Sequence, residues 1–168
     1  SLRCDTILDT WDKLDDSLKS DKYVPADGVI LPTFRAVLRK GDTVYDIFSR
    51  VTRYSKIVTD CVYTVNYSSV YVKGINHLYE FSCGELSGWM YRVNGVFPGY
   101  GCSKYVLKDG DVIEWVYTCD LGRDVGGEFG TAPSVENDRV QQKTDTYTFF
   151  YDKIAVVSPP KAAWRRCV

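Results

Sequence analysis

Histidine and methionine are almost missing from this chain of 168 residues, which holds one of each, His77 and Met90. A single histidine excludes a His-rich metal centre, and no acid is placed to pair with it for nucleophilic catalysis. His77 reads as a loop residue facing water, with metal ligation as the alternative. No charge sign dominates: 21 Lys and Arg face 22 Asp and Glu, a formal net charge of -1. That balance offers no general attraction to nucleic acid phosphates or anionic membranes. No apolar run approaches the roughly eighteen residues of a membrane span. The N-terminus lacks a basic region followed by an apolar stretch, so any signal peptide is expected to have been removed already.

The loops that usually carry catalysis are missing too. Gly84-Glu85-Leu86-Ser87-Gly88 departs from the elbow that presents a nucleophilic serine. Gly99-x-Gly101 and Gly126-Gly127-x-x-Gly130 lack the strand and helix context of nucleotide loops. Asp5, Asp9, Asp12, Asp15 and Asp16 form an acidic run without the glycine-centred calcium pattern. These absences give a reading with no catalytic residue, no metal and no cofactor. Asn66-Tyr67-Ser68 fits a glycosylation acceptor, a short motif that also arises by chance.

What is present is core-forming material, 45% apolar and 14% aromatic, enough for one packed domain. Six cysteines accompany it: Cys4, Cys61, Cys83, Cys102, Cys119 and Cys167. None forms a C-x-x-C pair, so zinc ligation is disfavoured and the disulfides of an exported protein are expected, with free thiols as the alternative.

Periodicity places the elements. Arg3 to Leu8 reads as a strand, and Asp9 to Lys22 as a turn-rich stretch with Trp11, Leu14 and Leu18 at helical spacing. Val29 to Leu31 and Phe34 to Leu38 look extended. A helix is predicted over 43–57, with Val44, Ile47, Phe48, Val51 and Tyr54 on one face. Asp42 or Thr43 caps it, and Asp46 completes a capping box with Thr43. Period-two alternation then marks strands at Tyr63-Val65-Tyr67 and at Trp89-Tyr91-Val93, the second ending in an Asn94-Gly95 hairpin turn. Lys104 to Leu107 and Asp111 to Thr118 read as a hairpin about Lys108-Asp109-Gly110. The fold class is therefore α+β, a mixed sheet packed against one main helix with extra hairpins. Residues 1–124 form the domain. Residues 125–168 are a linker and C-terminal extension, with Thr146 to Tyr151 and Ile154 to Val157 as a terminal hairpin or a loose tail.

Residues 88–101 hold four aromatics and four glycines. One reading is a ring-lined ligand surface built from Trp89, Tyr91, Asn94, Phe97, Tyr100 and Tyr105. Strand alternation favours the other for Trp89 and Tyr91, which it sends into the core, and leaves Tyr100 in a surface loop.

Gly88-Trp89-Met90-Tyr91, Val93-Asn94-Gly95 and Leu107-Lys108-Asp109-Gly110-Asp111-Val112-Ile113-Glu114-Trp115, in that order, together with Gly41-Asp42-Thr43-Val44, resemble the transcobalamin-like C-terminal domain of exported bacterial proteins. The resemblance covers about residues 34–119. It implies a β-grasp-like fold without catalysis, related to the lobe that closes one side of the corrinoid in vitamin B12 carriers. The separate helical domain of those carriers has no counterpart here. The resemblance also implies that the first strand and the last lie side by side at the sheet centre, where Cys4 faces Cys119. Cys83 and Cys102 then pair across the Trp89–Val93 strand, leaving Cys61 for Cys167. The expected function is a secreted or cell-surface binding module for a small soluble ligand, cobalamin among the candidates, with no nucleic acid partner and no membrane insertion. The alternative is an adhesion or assembly module that engages another protein chain.

Overall fold

The structure, a computed structural model, describes residues 1–127. Its elements in chain order are β1 (Leu2–Arg3), α1 (Thr6–Asp9), β2 (Val29–Leu31), α2 (Val44–Tyr54), β3 (Thr59–Thr64), β4 (Ser69–Ile75), β5 (Leu78–Tyr79), β6 (Gly88–Val93) and β7 (Ile113–Thr118). They form an α+β architecture of two sheets and one main helix. The first sheet has the order β2-β1-β7-β6 and the second β3-β4-β5. β1 lies parallel to β7, with Leu2 opposite Trp115 and Arg3 opposite Val116, so the first and last strands of the described chain are central neighbours. β2 and β6 flank them antiparallel.

Helix α2 starts where its sequence says it should. The Thr43 hydroxyl accepts the Asp46 N–H at 3.3 Å, and the Asp46 carboxylate accepts the Thr43 N–H at 2.8 Å. Two amides that begin a helix without partners are thereby satisfied. Val44, Ile47 and Phe48 are buried on one stripe. Tyr54, at one margin of that stripe in the last turn, is 87% exposed, while Thr52 at the other margin is buried and returns its hydroxyl to the Phe48 carbonyl at 2.9 Å.

Register explains the core. Tyr91 faces Trp115 and Trp89 faces Tyr117 across β6 and β7, and period-two alternation puts all four rings on the face that α2 covers. Phe48 meets Trp115 at a ring separation of 4.6 Å, and Trp89 meets Tyr117 edge-on at 5.2 Å. Polar tips tie this face to the second sheet. The Trp89 indole donates to the Leu78 carbonyl at 2.8 Å, and the Tyr117 hydroxyl donates to the Tyr79 carbonyl at 2.7 Å.

Several expected elements differ. The first strand stops at Arg3, because α1 begins at Thr6 and the Thr6 hydroxyl donates to the Tyr117 carbonyl. The acidic stretch after it forms two short 3-10 turns, Trp11–Lys13 and Asp16–Leu18. Lys104 to Leu107 does not pair with β7. It runs beside the start of α2, with Val44 N–H donating to the Tyr105 carbonyl and Leu107 N–H to that of Asp42. The ladder of β7 is taken up by β6 and β1 instead. β3 ends at Thr64, and Val65–Tyr67 turns the chain into β4. Tyr63 and Val65, on the alternating stretch read as a strand, are exposed.

No disulfide joins the described cysteines, Cys4, Cys61, Cys83, Cys102 and Cys119, in this structure. Continuing the β1–β7 register puts Cys4 level with Tyr117, two residues short of Cys119. Cys83 lies against Thr10, whereas Cys102 directs its thiol to the Val70 carbonyl, so the two have different neighbours. Cys167 and the terminal hairpin, with most of the 125–168 extension, lie outside the described residues.

Loss of the cap is measurable. Thr43→Ala is expected to destabilise the fold by about 1 kcal/mol, seen as a lower urea midpoint at unchanged slope.

Candidate functional site

A cleft of about 800 Å³ opens between α2, the segment 33–38 and the turn 107–113. Its floor is apolar: Ile47, Phe48 and Val51 from the helix, Trp115 from β7, and Leu2 and Leu31 from the neighbouring strands. The apolar face predicted for α2 therefore does two jobs, sealing the sheet at one end and lining a cavity at the other. Trp115 is 4% exposed, yet its indole N–H has no hydrogen-bond partner among the described residues. A buried donor left in that state has lost its water and gained nothing for it. Charged groups, Arg35, Lys108, Asp109 and Asp111, line the cleft as well.

The roof is chain without regular structure. Thr33, Phe34, Arg35, Ala36 and Val37 are all exposed, and the segment is anchored at its far end by one carboxylate. Asp42 accepts the Arg39 N–H at 2.7 Å and both terminal nitrogens of Arg50, at 2.6 and 3.3 Å. Arg50 also donates to the Val37 carbonyl at 2.8 Å, so one guanidinium links the helix, the carboxylate and the roof. The Arg50 hydrogen bonds, with the Arg39 amide, hold the Asp42 carboxyl below the usual Asp range.

The six candidate ligand residues of the sequence fall beside this cleft rather than on its walls. Trp89 is a core residue. Tyr91 packs at 5.5 Å from Trp115 and donates its hydroxyl to the Tyr100 carbonyl at 2.6 Å. Burial raises its phenol well above the ordinary value. Asn94 occupies the hairpin turn with φ at 52°, ahead of Gly95 at 79°, a pair of left-handed conformations that suits Asn-Gly. Its side chain links two turns: the amide nitrogen donates to Asp111 at 2.9 Å and the amide oxygen accepts the Val112 N–H at 2.9 Å. Phe97 is half-buried in the loop that follows. Tyr100 and Tyr105 stack at 5.7 Å and 15°, and Tyr100 is 46% exposed. The structure thus brings Tyr91, Tyr100 and Tyr105 together, continuous through Trp115 with the cleft floor. His77 stacks edge-on against Tyr23 at 5.1 Å, and no cluster of metal-ligating groups exists among the described residues.

The cleft itself escaped sequence reading. Ile47, Phe48, Val51 and Trp115 were legible as apolar, but an apolar face looks the same whether it meets a neighbour or a cavity.

The Asp42 anchor can be tested directly. Asp42→Asn is expected to free the roof and speed tryptic cleavage after Arg35 and Arg39 by roughly tenfold at neutral pH, measured by mass spectrometry. In the native chain the carboxyl titrates below the free Asp value of about 3.9. Its support is therefore complete above that value and lost as pH falls through the depressed folded value, which a carbon-detected NMR titration reads. A family model described as a domain of unknown function, DUF4430, matches residues 41–119, from the glycine before the α2 cap to the cysteine after β7. A search of curated proteins finds no match.

Proposed function

We propose that this chain is a non-catalytic binding module, secreted or displayed at a cell surface, that takes a small soluble ligand into the cleft beneath residues 33–38. The observation that carries this reading is the cleft: about 800 Å³, with Trp115, Phe48, Ile47 and Val51 making its floor apolar. Small-molecule sites have this size and this mixture of apolar lining with few polar groups. The resemblance to the transcobalamin-like family supports it, since the segment matched by the DUF4430 model supplies the helix and strand that wall the cleft. Tyr100, exposed and stacked on the half-buried Tyr105, offers a second stacking surface alongside.

Thermal shift against cobalamin, cobinamide and a panel of flat heterocycles tests the proposal. A ligand at a hundred times its Kd is expected to raise Tm by several degrees. Val51→Trp, which fills the cleft, is expected to abolish that shift while the chain stays folded. A ligand that still binds the filled variant equally well defeats the proposed location.

One observation favours a second reading, a protein-assembly module. β3 is an edge strand, and Val58, Val62, Tyr63 and Val65 are exposed along and beside it. Such an edge accepts another chain by strand addition. Sedimentation that shows a dimer, dispersed by Val62→Lys, supports this reading over the first.

A further inference from the structure

We propose that Cys83 and Cys119 form a disulfide in the oxidised protein, fastening the loop between β5 and β6 to the end of β7. Neither cysteine belongs to the cleft, and the pairing differs from both that the resemblance implied for them. Cys83 is fully buried and Cys119 is 8% exposed. Their thiols converge on one turn of α1. The Cys83 sulfur lies 3.3 Å from the Thr10 hydroxyl, and that of Cys119 donates to the Thr6 hydroxyl at 3.8 Å. Thr10 in turn donates to the Thr6 carbonyl at 3.1 Å, which holds the two hydroxyls on one side of the helix. The two thiols act on each other: Cys119 draws Cys83 below the ordinary thiol range, while Cys83 raises Cys119. Cys102, by contrast, directs its thiol to the Val70 carbonyl at 3.4 Å.

The chemistry is thiol–disulfide exchange with a small disulfide of the glutathione type. The Cys83 thiolate attacks one sulfur of that reagent, and the other half leaves as a thiolate that takes up a proton. Cys119 then loses its proton, attacks the Cys83 sulfur of the mixed disulfide and releases the second half as a thiol. Two protein thiols are oxidised to one cystine and one reagent disulfide is reduced to two thiols. Since both cysteines are buried, exchange proceeds while the 80–87 loop is open, during folding or local opening. Closure then shields the bond from reductant.

The full chain, refolded in a glutathione redox buffer, alkylated and digested with trypsin without reduction, decides the matter. Trypsin places the described cysteines in separate peptides, 4–13, 57–73, 74–92, 93–104 and 109–123. The expected product joins 74–92 to 109–123 at about 2 Da below the sum of the reduced peptides. Recovery of both peptides alkylated, or of 74–92 joined to 93–104, or of 109–123 joined to 4–13, overturns the proposal. Dithiothreitol is expected to cleave the bond at least tenfold more slowly in the native protein than in urea, and equal rates overturn the buried placement. Tm of the oxidised chain should exceed that of the reduced chain, with no such difference in Cys119→Ser.

Discussion

The parallel pairing of β1 with β7 is the constraint on which the rest of the molecule depends. It brings Leu2 and Arg3 against Trp115 and Val116, more than a hundred residues away, a closure whose entropy must be recovered from apolar burial. Parallel neighbours need a long crossover, and here that crossover includes α2, the whole second sheet and β6. Once the pairing forms, α1 is delivered to the end of β7, Phe48 meets Trp115, and Leu2 becomes part of the cleft floor. Contacts of such long range imply a slow search during folding.

The cavity follows from an imbalance between two kinds of neighbour. On the sheet side α2 meets rings that fill space. On the other it meets residues 33–38, which lie along its flank without a strand ladder of their own. A short segment with exposed side chains cannot collapse onto the helix when Asp42 and Arg50 hold its far end at a fixed height. The same ion pair that orders the roof thus keeps it raised. Surface ion pairs stabilise little in general, but this one is bidentate and also engages backbone at Arg39 and Val37.

Local rules were legible in the sequence, and long-range ones only where a motif carried them. Thr43 and Asp46 announce the helix start because the capping box is a four-residue interaction. Asn94-Gly95 announces its turn because few other residues adopt two consecutive left-handed conformations. The Trp89 and Tyr91 side of β6 followed from period two. The partner of β7 did not, since a turn at Lys108-Asp109-Gly110 is compatible with a hairpin or with a chain that moves off to the helix. Sulfur neighbours were harder still, because Cys83 lies in the loop between β5 and β6, whose position no local pattern fixes. As for the site, aromatic richness pointed to 88–105, whereas the cleft is made by residues whose type alone marks them as core.

Asn94 also sets how the molecule ages. Asparagine followed by glycine is prone to lose its side-chain amide by attack of the next backbone nitrogen, and here that amide bridges the tips of two turns. Conversion to a carboxylate would replace a donor with a negative charge facing Asp111, and like charges at hydrogen-bonding distance repel. The turn that most firmly marks the hairpin in the sequence is thus also the place where the chain's own chemistry would begin to prise the two tips apart.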